Sequence, residues 1–94
     1  MKTRAELTAK GEVQRVGYRD AVERIARKLR LVGYVENIRP YDVRIVCEGE
    51  KETVKEFIQK INIKFERIYV ERIDVKFEKP TDEFTFLKSG EATW

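Results

Sequence analysis

The residues from Gly11 to Arg19, G-E-V-Q-R-V-G-Y-R, form the segment with the clearest chemical content. Glycines at Gly11 and Gly17 permit a tight turn, and an amphipathic helix pattern follows from Asp20. A helix N-terminus presents unpaired N–H groups and the positive end of the macrodipole, so a turn leading into one suits an anion, above all a phosphate. Arg19 stands at that junction with a planar guanidinium able to grip two oxygens of a phosphoryl or carboxylate group. An arginine there meets a like charge, which argues for an anionic partner; the alternative is a plain surface arginine.

The remaining composition narrows the chemistry. With no histidine and a single cysteine, Cys47, the chain has no Cys–His nucleophilic pair, zinc finger, intramolecular disulfide or imidazole base. Cys47 alternates with Val43 and Ile45 and is read as a small core residue. Twenty Lys and Arg against seventeen Asp and Glu leave a net charge of +3 with the signs interleaved, which is poor support for nucleic-acid binding. Asp20 with Arg24, Glu23 with Arg27, and Glu56 with Lys60 fall at i,i+4 and are expected to pair on exposed helix faces. No apolar run approaches the roughly 20 residues that span a bilayer, and no secretory h-region is visible, so a soluble, cytoplasmic protein is expected. Abundant Glu, Lys, Arg and Ile with few Asn and Gln resembles thermophile usage.

The elements that must position this turn can be read from periodicity. Ala5, Leu7 and Ala9 alternate with polar residues, which predicts a strand over Thr3 to Lys10. Val22, Ile25, Ala26 and Leu29 make one stripe of a helix over Asp20 to Leu31, stopped by Gly33. Tyr34 to Ile38 and Val43 to Glu48 read as a hairpin around R-P-Y-D, with Gly49 closing the second strand. A second helix is expected from Glu50 to Ile61 on the stripe Val54, Phe57, Ile58 and Ile61. Val70, Ile73, Val75 and Phe77 outline a strand, and the three-residue step from Val70 to Ile73 predicts a bulge near Glu71 and Arg72. Pro80 ends it, and Phe84 to Leu87 offer an edge strand. The expected fold is therefore α+β: one domain over residues 1–94, a ferredoxin-like two-layer sandwich of order βαββαβ, its antiparallel sheet carrying both helices on one face.

With the elements in place, the V-Q-x-V-G-Y-R at Val13 to Arg19, the G-Y-V-E-N at Gly33 to Asn37 and the strand ending Glu48-Gly49 resemble the acylphosphatases over roughly residues 3 to 87. The resemblance implies hydrolysis of carboxyl-phosphate anhydrides without cofactor or metal. It implies a phosphate held by backbone amides of Gln14, Arg15, Val16, Gly17 and Tyr18, with Arg19 on the same group and Asn37 positioning the attacking water. Gln14 is expected to shape the loop, while the Tyr18 side chain packs or binds. Apart from the resemblance, a strand-end turn residue is the better reading of Asn37, since Asn favours turns. The implied partner is a small acyl phosphate or inorganic phosphate, with no nucleic acid and no membrane, in a monomer or weak dimer.

Three departures stand out. Arg15 occupies a position where the family usually has glycine, so a retained left-handed backbone there costs about 1 to 2 kcal/mol, and its side chain points to solvent or to the substrate. The hairpin turn Arg39-Pro40-Tyr41-Asp42 has lost the usual glycine and is expected to change type. Ile63 to Glu66 replace a Gly-Pro-Pro linker and either extend the helix or lengthen the following strand. Arg15 and the altered turn keep open a second reading, a non-catalytic acylphosphatase-like module that binds an anion or a partner, including as part of a longer protein. RNA binding would need a K/R-G-F/Y-G/A-F-V-x-F/Y pattern, which the central strand V-R-I-V-C-E lacks.

Overall fold

The computed structural model describes residues 1–81. The chain runs β1 (Lys2–Glu12), α1 (Tyr18–Lys28), β2 (Val32–Ile38), β3 (Asp42–Glu50), α2 (Lys51–Lys60), β4 (Lys64–Phe65) and β5 (Ile68–Glu78). The five strands form one sheet in the order β2-β3-β1-β5-β4, every neighbouring pair antiparallel. This is the expected ferredoxin-like α+β arrangement with one addition, the two-residue strand β4. The expected edge strand at Phe84 to Leu87 lies outside the described residues.

The alternation in β1 has its predicted consequence: Ala5, Leu7 and Ala9 are fully buried, facing Cys47, Ile45 and Val43 across the ladder. Val22 and Ala26 of α1 and Val54, Phe57 and Ile61 along α2 close over them without exposed surface. Ile25, Leu29 and Ile58 flank this core half-buried, as the outer positions of an amphipathic stripe do. Val75 and Phe77 face Leu7 and Ala5, yet they stay 40% and 48% exposed, because α2 packs on β3 and β1 and leaves the far end of β5 uncovered among the described residues.

The bulge falls where the spacing placed it. Lys10 pairs with Arg72 but Gly11 pairs with Val70, so Glu71 is the extra residue. Gly11 is required there: at φ 128° a Cβ would lie 2.3 Å from the Tyr69 carbonyl oxygen. Gly11 thus belongs to β1, which runs on to Glu12, and not to the turn. Helix α1 begins at Tyr18, two residues before the expected start, and Gly33 does not end it. Leu29 caps it, Arg30 turns into the left-handed region at φ 58°, and Leu31 N–H donates to the Ala26 carbonyl. Gly33 sits inside β2, and β3 likewise continues past Gly49 to Glu50. Ile63 to Glu66 neither extend α2 nor merely lengthen β5. They fold back as β4 around Glu66 and Arg67, with Val70 N–H donating to the Ile63 carbonyl.

Of the expected helix-face pairs, Arg27 holds Glu23 at 3.1 Å and Lys60 holds Glu56 at 3.3 Å. Asp20 and Arg24 form no ion pair among the described residues. Burial raises the Tyr18 phenol above its ordinary value and pushes the Cys47 thiol up to about 12. In both groups the neutral form is the one the fold favours, so their contribution to stability is complete below the ordinary thiol and phenol values and is lost as pH rises beyond them. We therefore expect a flat unfolding free energy from about pH 6 to 8 that falls above about pH 9. Native Cys47 should resist a thiol reagent at pH 8 and react on denaturation; prompt native labelling would contradict its place in the core.

Candidate active site

The turn from β1 into α1 is built around Gly17, which precedes the helix in the left-handed region at φ 87° and ψ 10°. Among the described residues no side chain caps the helix start. The amides left without helical partners at such a start belong to Gly17, Tyr18, Arg19 and Asp20. These four residues, with Val13 and Arg15, are the walls of a depression of about 150 Å³. That is several times the roughly 30 Å³ that a water molecule takes up in the liquid. Arg19 is the second residue of α1, inside its first turn and not ahead of it, and it is exposed. Neither Arg15 nor Arg19 forms an ion pair among the described residues. Two guanidiniums without carboxylate partners among the described residues therefore share a rim with the helix N-terminus.

Arg15 has φ 62°, so the left-handed backbone is retained with a non-glycine residue, and the side chain is exposed at the mouth of the depression. Val16 turns inward and packs against the core, so its contribution to the loop is its backbone. Tyr18 is decided in favour of packing: its ring is 1% exposed and its hydroxyl donates to the Ile61 carbonyl at 2.9 Å. That bond ties the first residue of α1 to the C-cap of α2, fixing the helix start from behind.

Gln14 shapes the loop as expected. Its Nε2 donates to the carbonyls of Ile38 at 3.0 Å and Asp42 at 2.8 Å, on either side of the β2–β3 turn. Lys10 grips the Asp42 carboxylate at 2.9 Å, a second clamp on the same corner. These contacts bring the end of β2 beside the loop. Asn37, one residue before Ile38, pairs with the buried Val43 and therefore lies on the helix-facing side of the sheet. It is exposed and is not among the walls of the depression. Sequence reasoning missed Lys10, Ile38 and Asp42 as anchors, because two of the three act through the corner's backbone carbonyls or their neighbours, which no residue pattern marks. The Arg39–Pro40 peptide at this corner is cis, and Pro40 and Tyr41 join Gln14 and Arg15 around a second depression of about 330 Å³. Among the described residues no group of three or more Cys, Asp or Glu side chains is placed to hold a metal ion.

The sheet and its two helices make an α+β two-layer sandwich with two arginines at the start of α1, and comparison with known proteins gives its family. The Acylphosphatase family model matches residues 5–88. An acylphosphatase from Thermococcus kodakarensis is 38% identical over 79 residues, covering 84% of this chain and 87% of that protein. The crystal structure of acylphosphatase from Bacillus subtilis superposes with a TM-score of 0.83 at 26% identity, over 87% of this chain and 91% of that one. The probable carbamoyltransferase HypF of Methanocaldococcus jannaschii is 39% identical over 98 residues, which is 98% of this chain but 12% of that protein. The chain belongs to the acylphosphatase family.

Proposed function

We propose that the protein hydrolyses acyl phosphates to a carboxylate and inorganic phosphate, in the depression at the start of α1. The observation that carries this is the coincidence, around one pocket, of four helix-start residues without a side-chain cap and two arginines without an ion pair among the described residues. The transferred phosphoryl group would sit on the amides with the Arg19 guanidinium across its equatorial oxygens. Charge that builds up during the displacement is then met by donors already in place. Asn37 can accept a hydrogen bond from water through its carbonyl and donate one through its amide, orienting the nucleophile without taking its proton. As water adds to phosphorus, the bond to the acyl oxygen breaks, the carboxylate leaves with the electron pair, and the proton passes to a phosphate oxygen. A good leaving group makes this feasible without histidine, and the reading includes turnover without added metal, in the cytoplasm, by a monomer or weak dimer.

The test is phosphate release from acetyl phosphate in the presence of a chelator, with Asn37→Ala alongside. We expect turnover by the native chain and a loss of about 100-fold or more in kcat for the variant, the scale of removing one positioned polar group from a displacement. Undiminished turnover by Asn37→Ala would remove its role. The likeness to HypF supports a second reading, in which the same fold serves as an acylphosphatase-like module of a larger assembly. Phosphate binding by calorimetry without acetyl phosphate hydrolysis would favour that module.

A further inference from the structure

We propose that the groove along the α2-facing flank of α1 is the subsite for the acyl group, and that it selects acyl phosphates whose acyl chain carries a second negative charge. The inference rests on the phosphate site described above and adds the direction in which the rest of the substrate extends. The groove has a volume of about 550 Å³ and shares Gly17 and Asp20 with the depression at the start of α1, so the two adjoin along the first turn of the helix. Its α1 wall is one stripe of the helix, and the opposite wall comes from the end of α2 and the β4–β5 hairpin.

The displacement geometry points the same way. Attacking and leaving oxygens lie roughly in line through phosphorus, so the acyl group departs on the side opposite the water. Asn37 stands on β2, against which one flank of α1 packs. The groove opens on the other flank, where a leaving group would emerge.

The lining indicates what that group is. Ile25, Ile63 and Ile68 give a half-buried apolar floor suited to a short methylene stem. Around it stand four cations, Arg24, Lys28, Lys60 and Arg67, against the two carboxylates of Asp20 and Glu66. Lys60 is engaged by Glu56 at 3.3 Å, but Arg24, Lys28 and Arg67 form no ion pair among the described residues. Asp20 and Arg24 leave their i,i+4 pairing unmade although both border the groove. A neutral acyl chain would use the floor alone, whereas one ending in an anion would also meet these cations.

Three probes separate floor from charge: acetyl phosphate, butanoyl phosphate, and the mono-acyl phosphate of a four-carbon dicarboxylic acid. The native protein should favour the dicarboxylic substrate over butanoyl phosphate by about tenfold in kcat/KM, the scale of one or two partly exposed ion pairs, and the ratio should shrink in 1 M salt. The double variant Arg24→Glu, Arg67→Glu should abolish or invert that ratio. A general loss of folding lowers all three substrates together and leaves the ratio intact, and an intact ratio in the variant overturns the proposal. Equal use of the butanoyl and dicarboxylic substrates by the native protein overturns it too, while leaving the phosphate site standing. Failure to release phosphate from any of the three ends both.

Discussion

Arg19→Ala lowers kcat for a small acyl phosphate by about 100- to 1000-fold, the loss seen when one preorganised donor to a developing oxyanion is removed, equivalent to roughly 2.7 to 4 kcal/mol of transition-state stabilisation. The size of the effect follows from what surrounds the residue. Arg19 sits in the first turn of α1, where the N–H groups already make the potential positive, so its guanidinium is held in place against a like charge. Without an anion that position has a cost; in the proposed complex, amides and guanidinium would act on the same oxygens. Because Arg19 is exposed and supports no ion pair among the described residues, the variant should keep its fold, with thermal unfolding within about 0.5 kcal/mol of the native chain. Steady-state kinetics and a melting curve on the same preparation decide the matter. Turnover that survives with only a raised KM would mean that Arg19 binds substrate and transition state alike.

Phe57→Ala should act on stability with comparable force. Phe57 is fully buried where α2 crosses the sheet, among the largest side chains of the core. Truncation removes the transfer free energy of the ring and leaves a cavity that a close-packed two-layer interior can only partly fill, a cost of about 3 to 5 kcal/mol. Against a total of roughly 5 to 15 kcal/mol for a natural domain, that is a large share. The melting temperature should fall by more than about 10 °C. The loss reaches the site as well, since Ile61, one turn further along α2, accepts the Tyr18 hydroxyl that anchors the start of α1. Urea unfolding gives the number; a change below about 1 kcal/mol would mean that α2 does not close the core in the manner described.

The fold was legible where one local pattern had one structural solution. Alternation at Ala5, Leu7 and Ala9 had to become a half-buried strand, and the three-residue step from Val70 to Ile73 had to become a bulge if both faced the core. Element ends were read less well because backbone conformations compete there. The left-handed turn that ends α1 fell to Arg30, not to a glycine, and helical start at Tyr18 depended on burial of its ring against α2, which is a tertiary effect. Strand β4 is two residues long and has no periodicity to show; only its pairing with Ile68 and Tyr69 defines it.

The site divides in the same way. The left-handed turn at Gly17 and the place of Arg19 at the helix start are local and could be read from residue types. The relation of Asn37 to that turn is not, because it is set by the register of β2 on β3 and by Gln14 reaching across to Ile38 and Asp42. Arg15 in the left-handed region shows that the loop geometry outweighs the preference of the residue placed there.

The most direct measurement is a crystal of this chain soaked with inorganic phosphate. We expect one anion in the depression at the start of α1, held by the first-turn amides of Gly17 to Asp20 and by the Arg19 guanidinium, with Asn37 in reach of it through one water. An anion bound elsewhere, or Arg19 turned to solvent while phosphate occupies the turn, would contradict it.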